Sequence, residues 1–255
     1  MKVLYTIYVW ILLILATLFW GSLLALALPF DRKGNLYFFI SRFWAKTIIF
    51  FTAVPLKVEG LEKIPASPCI FMSNHQSYFD VITLIASLPR PARFVAKRIL
   101  KFIPVFGQLM WASGHIIIDR ANPKQAFSEL DRAAERINQG VSVLVFPEGT
   151  RSIDHKLGPF KKGGFVLAIK SKVPIMPISI TGTQSMMPKG RYSFQRPKLI
   201  QVKISEPINL ADLDLSQKQA LMDLVRKAII QGFGSETPEA KANQAELSTQ
   251  APSAA

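Results

Sequence analysis

Hydrophobic residues fall into three patterns along the 255-residue chain. Between Val3 and Phe30 there is no charged side chain, and Leu, Ile, Trp and Tyr predominate. As a helix rising 1.5 Å per residue this stretch reaches about 40 Å, more than the roughly 30 Å hydrocarbon core of a bilayer requires. It is expected to span with tilt or to break near Gly21-Ser22 into a re-entrant pair. A cleaved signal peptide, suggested by Lys2 and Ala25-Leu26-Ala27, would carry an apolar region of only about 7–15 residues, and this one is far longer. From Asn35 to Leu56, Arg42 and Lys46 sit one turn apart among Phe38, Phe39, Phe43, Trp44, Phe50 and Phe51. One polar stripe on an aromatic helix suits the plane of a membrane interface; a core helix with snorkelling cations has the same pattern.

From Leu56 to Phe233 short apolar runs alternate with helical periods, which is α/β organisation. The predicted strands are Cys69–Ser73, Arg93–Ala96, His115–Ile118, Val141–Phe146, Ile175–Ile180 and Leu199–Ile204. Several are β-branched runs without alternation and so belong at the centre of a sheet covered on both faces. Asn122-Pro123 opens a helix that Gly140 stops, and Ser216 with Gln219 makes a capping box for a last helix whose Leu221, Leu224, Val225 and Ile229 share one face. Gly234–Ala255 holds small and polar residues with Leu247 as its sole large apolar side chain, the composition of a disordered tail. The expected organisation is an anchor over 1–56, a catalytic domain over 57–233 and a tail over 234–255.

Composition excludes a disordered chain, since 49% of the residues are hydrophobic. Thirty-one basic and 17 acidic side chains give a net charge of +14, and the acidic tail leaves the body at +16. That charge gathers in Arg90–Lys101, Arg151–Lys172 and Lys189–Lys203, and it suits nucleic acid or an anionic bilayer; the adjoining apolar segment favours the bilayer. Arg32, Lys33, Arg42 and Lys46 after the first segment outnumber Lys2 before it, so the domain should face the cytoplasm from the cell inner membrane or another cytoplasm-facing membrane. The lone Cys69 rules out an intramolecular disulfide and a zinc site needing several thiolates, and no metal site is expected. Because it begins an apolar run, Cys69 reads as a buried thiol rather than a nucleophile.

Polar clusters follow the apolar runs. Asn74-His75-Gln76-Ser77-Tyr78-Phe79-Asp80 comes directly after one, with Ser77 and Asp80 able to open a helix as a capping box. His75 and Asp80 would lie about 140° apart on a regular helix, so His75 must sit in the preceding turn and fold back onto Asp80. Such a pair fixes the imidazole tautomer and leaves the other nitrogen free to take a proton. Phe146-Pro147-Glu148-Gly149-Thr150-Arg151-Ser152 ends another run; Gly149 permits close backbone approach, Arg151 offers a fork for phosphate oxygens, and Glu148 could hold that guanidinium or a substrate hydroxyl. Gly114–Arg120 places a second Arg at a strand end. His115 reads as structural and His155 as solvated beside Asp154 in a basic loop. The nucleophile elbow G-x-S-x-G, the P-loop and the G-x-G-x-x-G fingerprint are all absent from the sequence.

These segments together resemble the lysophosphatidic acid acyltransferase family, the PlsC-type glycerolipid acyltransferases, over about Leu56–Lys203. Four motifs appear in the family's order: Asn74-His75-Gln76-Ser77 with Asp80, Gly114–Arg120, Phe146–Ser152 and Val173–Ile178. The resemblance implies the glycerolipid acyltransferase fold, a mixed central sheet flanked by helices, resting on the membrane through N-terminal hydrophobic anchoring helices. It implies that His75 is the general base, oriented by Asp80, for attack of a lipid hydroxyl on an acyl thioester. It puts the glycerophosphate at Glu148, Gly149, Thr150 and Arg151, with Arg120 and Lys97 as further phosphate contacts. No cofactor is implied; acyl-CoA or acyl-carrier protein is the co-substrate, and the partners are lysophospholipid, thioester and membrane lipid. Lys161, Lys162 and Lys189 would serve the CoA phosphates or the acidic carrier and the anionic membrane. The acceptor is expected to be 1-acylglycerol 3-phosphate. Glycerol 3-phosphate, another lysophospholipid or a lyso-aminolipid share the motifs, and a silent binder of anionic lipid or of nucleic acid is the non-enzymatic alternative.

Overall fold

The computed structural model describes residues 2–31, 35–103, 106–118, 123–210, 213–235 and 237–248. Two helices come first, α1 (Lys2–Ala27) and α2 (Asn35–Thr52). The remainder runs β1 (Leu56–Glu59), β2 (Ile70–Ser73), α3 (Phe79–Ser87), β3 (Ala92–Lys97), α4 (Phe106–Ala112), β4 (Ile116–Ile118), α5 (Pro123–Asn138) and β5 (Ser142–Val145). It continues through α6 (Gly163–Ser171), β6 (Ile175–Thr181), α7 (Thr183–Met186), β7 (Ile200–Ile204), α8 (Lys218–Gly232) and α9 (Pro238–Ser248).

The seven strands among the described residues join one sheet in the order β1-β7-β6-β2-β5-β3-β4. Neighbours are parallel except β6 and β7, so β1 and β7 run opposite to the other five and the sheet is mixed. Both faces are covered, as the non-alternating runs require: Ile70 and Met72 point into a core with α5, α6 and α8, while Cys69 and Phe71 point the other way toward Leu84 of α3. The six predicted strands form within a residue or two of their expected bounds. The strand β1 was not expected; Lys57 and Glu59 pair on its outer side, and it is parallel to β7 at the sheet edge.

The helix α1 is continuous, without a break at Gly21-Ser22; Ser22 Oγ donates to Leu18 O and stays satisfied within the helix. It pairs antiparallel with α2 through Trp20 stacked on Phe43, Trp20 Nε1 on Thr47 Oγ1, Trp44 Nε1 on Thr17 Oγ1 and Tyr5 Oη on Thr52 O. The pair is also fastened to the domain. Phe194 N donates to Thr6 Oγ1 at 3.0 Å, Trp10 Nε1 donates to Tyr192 O at 2.9 Å, and Gly21 lies against Leu109 of α4. Thus α1 lies alongside the domain rather than projecting from it.

Two local expectations need correction. The capping box before α8 is formed by Asp214 and Gln217, two residues earlier than Ser216 and Gln219; Asp214 is better placed because its carboxylate takes both the amide and the hydroxyl of Ser216. The segment 234–255 is not a disordered tail throughout, since Pro238–Ser248 is helical and Glu239, Ala240 and Asn243 are buried against the domain. Docking there rests on polar bonds, which hydrophobic periodicity does not register. Asn122, before α5, lies outside the described residues.

Candidate active site

The register of the two central strands assembles the site. Met72 of β2 lies opposite Val145 of β5, so the segments leaving their carboxyl ends emerge side by side, where ligands of open α/β sheets bind. Asn74, fully buried, turns the chain out of β2: its Nδ2 donates to Ile180 O and its Oδ1 accepts from Ile180 N, both at 2.8 Å, replacing a strand partner on β6. The next residue, His75, is thereby thrown into the turn before α3.

Asp80, in the first turn of α3 and fully buried, receives three donors at one oxygen. Its Oδ2 accepts from Gln76 N at 2.6 Å, Ser77 N at 2.9 Å and His75 Nδ1 at 2.8 Å. The carboxylate thus ties down the turn before α3 and holds the imidazole with the proton on Nδ1, leaving Nε2 to act on a substrate. The expected capping box forms only in half: Ser77 Oγ accepts from Phe79 N and donates to Met187 O, a bond that ties the turn to α7.

The segment after β5 grips His75 from the other side. Phe146 stacks on the imidazole with centroids 4.0 Å apart and planes at 18°, and Ser152 N donates to His75 O at 2.7 Å. Glu148 is 3% exposed, and its two oxygens accept from His75 N and Gly158 N at 2.7 Å each. Burial pushes its carboxyl up to about 7, against the two backbone donors, which favour the charged form. Glu148 therefore does not hold the Arg151 guanidinium, one of the two roles expected of it beside that of holding a substrate hydroxyl. That guanidinium lies over the Tyr78 ring, 3.7 Å from its centroid, while Lys189 Nζ donates to Arg151 O at 2.6 Å. Gly149, at φ +69°, makes the turn that brings backbone to the site.

His75, Tyr78, Gly149, Thr150 and Arg151 form the polar wall of a cavity of about 420 Å³. The rest of its lining is mainly apolar and is shared between the N-terminal hairpin, with Trp20 and Leu24 of α1 and Ile40 and Trp44 of α2, and the domain, with Val81 and Ile85 of α3 and Leu109 and Met110 of α4. A site with one cationic polar wall and a long apolar remainder is shaped for an amphiphile.

Residues 55–181 match the Acyltransferase family model. A 1-acyl-sn-glycerol-3-phosphate acyltransferase of Limnanthes douglasii is 38% identical over 198 residues, covering 76% of this chain and 69% of the relative. The chain belongs to the lysophosphatidic acid acyltransferase family. A chloroplastic 1-acyl-sn-glycerol-3-phosphate acyltransferase of Brassica napus is 39% identical over 191 residues, 74% of this chain and 55% of that protein. The chain spans about half the length of the chloroplastic relatives it matches. The crystal structure of the PlsC lysophosphatidic acid acyltransferase of Thermotoga maritima superposes with a TM-score of 0.78 at 26% identity, covering 96% of each chain.

Within the chain the remaining sequence candidates divide. Arg120 lies outside the described residues, and so does the side chain of Lys97, whose backbone ends β3. His115 is buried and held neutral: burial and the charges of Arg93 and Arg136 lower its pKa to about 3. Its Nδ1 accepts from Phe94 N, and Nε2 is 2.6 Å from Tyr37 Oη, joining β4 to α2 beside the cavity. His155 is not solvated beside Asp154 as expected; its Nδ1 lies 3.2 Å from Glu239 Oε1. Cys69 is buried in the sheet, and burial raises its thiol pKa, as an inert side chain requires. Sequence reasoning missed Tyr78 and Phe146 as parts of the site, although both lie inside the two motifs that were singled out, and it grouped Lys189 with Lys161 and Lys162 rather than beside Arg151.

Proposed function

We propose that the protein transfers an acyl group from acyl-CoA or acyl-carrier protein to the free sn-2 hydroxyl of 1-acyl-sn-glycerol 3-phosphate, giving phosphatidic acid. The observation that carries this reading is the His75 imidazole, fixed by Asp80, opening onto a cavity with Arg151 on its polar wall and an apolar remainder. His75 Nε2 takes the hydroxyl proton as the oxygen bonds to the thioester carbonyl carbon, since a free alkoxide is too basic to form at neutral pH. The tetrahedral intermediate collapses with loss of the C–S bond, and the imidazolium returns the proton to the leaving thiolate. Arg151 and Thr150 hold the acceptor phosphate, Gly149 turning the backbone that carries them, and the apolar wall takes acyl chain.

The anchoring helices serve the same chemistry. Val3, Leu4, Ile7, Ile14, Leu15, Leu18 and Phe19 of α1, with Phe39, Phe43 and Phe50 of α2, are exposed, an apolar face that a bilayer would cover. Since α1 is long and apolar enough to cross a membrane yet is tied along the domain, the hairpin is best read as embedded in the cytoplasmic leaflet, bringing the cavity to its lipid substrate. Lys161 and Lys162 are exposed and remain candidates for the CoA phosphates or the carrier protein, whereas Lys189 belongs beside Arg151.

The test is an acceptor panel with purified protein. Wild type should use 1-acylglycerol 3-phosphate in strong preference to glycerol 3-phosphate and lysophosphatidylcholine. Arg151→Ala should raise the KM for that acceptor by about 30-fold or more, the loss of roughly 2 kcal/mol of charge-assisted bonding, with thioester KM unchanged. Equal use of all three acceptors, or an Arg151→Ala effect confined to the thioester, would refute the assignment.

A further inference from the structure

The loop after Arg151 is held by residues far outside the matched acyltransferase segment. Asp154 and His155 adopt left-handed backbone conformations, φ +60° and +59°, which for non-glycine residues persist only where the surroundings impose them. The surroundings here are α8 and α9. Asn243, 1% exposed, accepts from Leu157 N at 2.9 Å with its Oδ1 and donates to His155 O at 2.9 Å with its Nδ2. Glu239, also 1% exposed, meets His155 Nδ1 and accepts from Gly182 N at the end of β6. From α8, Arg226 donates to Leu157 O at 2.6 Å and to Gly158 O at 2.7 Å.

This anchorage leads straight to the base. Gly158, the residue after Leu157, donates to one oxygen of Glu148, and the other oxygen of Glu148 accepts from His75 N. Gly158 has no room to shift toward that carboxylate, since a Cβ there would stand 2.8 Å from Glu148 Oε2. We propose that α9 is part of the catalytic apparatus, a clamp in which Asn243 and Glu239 are positioning residues that fix the loop 153–158 and, through Glu148, the placement of His75 and the adjoining Arg151. Glu239 and Asn243 of α9 are thus buried for a reason that apolar packing does not supply: an amide offers one donor and one acceptor to a loop backbone that has one of each to satisfy.

The kinetic arm rests on the acyl-transfer reading; the exchange arm needs no substrate, so failure of the clamp and failure of that reading are told apart. In the full chain, Asn243→Ala should speed amide hydrogen exchange at Leu157 and Gly158 at least tenfold. It should raise acceptor KM about fivefold and lower kcat about tenfold, with thioester KM within twofold of wild type. Asn243→Asp keeps the acceptor for Leu157 N but turns an oxygen toward the carbonyls of His155 and Glu239, to which the amide donates, so it too should speed exchange in the loop. Unchanged exchange at 157–158 in both variants overturns the clamp. Faster exchange with kcat and acceptor KM unchanged overturns the positioning role.

Discussion

Replacing Asp80 by Asn should lower kcat/KM by about 10³-fold while leaving the protein folded. An amide can be seated there in two ways. With its oxygen in place of Oδ2 it still accepts from Gln76 N, Ser77 N and His75 Nδ1, and its nitrogen takes the place of Oδ1, which is buried and has no partner among the described residues. Turned over, it would set its own N–H groups against two backbone donors, which is worse. The first seating wins, at a cost of about 1–3 kcal/mol for the buried unpaired amide. The imidazole keeps its tautomer and loses the negative charge that steadies the imidazolium as the proton arrives. Asp80→Ala should differ in kind, since three buried donors lose their acceptor and stability falls by several kcal/mol together with activity. Urea unfolding beside steady-state rates separates the two. An Asp80→Asn enzyme within tenfold of wild type would show that the carboxylate charge plays no part.

The second large effect concerns Glu148, whose activity and stability should move in opposite directions with pH. Its carboxyl is raised from 4.5 to about 7 by burial. A raised acid binds its proton more readily folded than unfolded, so its contribution to stability is fully present below about pH 4.5 and is lost as pH climbs through 7. The loss is on the order of 3 kcal/mol. Catalysis asks for the other form, because only the ionised carboxylate accepts from both His75 N and Gly158 N without presenting an O–H to one of them. Glu148→Gln should remove the fall in stability between pH 5 and 7. It should also lower kcat by about 10²-fold, because its amide nitrogen faces one of the two backbone donors. Denaturant midpoints of both proteins at pH 5, 6 and 7 are the measurement, and the same slope in both would contradict the assignment.

What the sequence could disclose follows from where its information resides. The central strands were legible because Val, Ile and Leu runs covered on both faces leave a pattern that needs no partner to be read. The edge strand β1 escaped because Leu56–Glu59 buries little and gains its identity from pairing with β7. His75 and Asp80 were legible because their spacing forces a turn and a fold-back. Glu148 was found as a residue and misread in role, since its partners are the amides of His75 and Gly158, and a backbone N–H has no letter in the sequence. The same holds for Asn243, which satisfies the loop backbone from a helix whose composition resembles a disordered tail. The apolar N-terminal segment was read as an anchor, yet it also supplies much of the cavity wall, and that second role depends on how α1 lies across the domain.

The central claim is that His75 is the base for acyl transfer to a lysophosphatidate. It is tested most directly by phosphatidic acid formation from 1-acylglycerol 3-phosphate with a long-chain acyl-CoA or the acyl-carrier protein thioester, using detergent-purified wild type beside His75→Ala. Product from the wild type, with a loss of about 10³–10⁴-fold in the variant at unchanged thermal stability, is the expected result. Equal product from both proteins would contradict the role of His75, and no product from wild type with either donor would contradict the reaction itself.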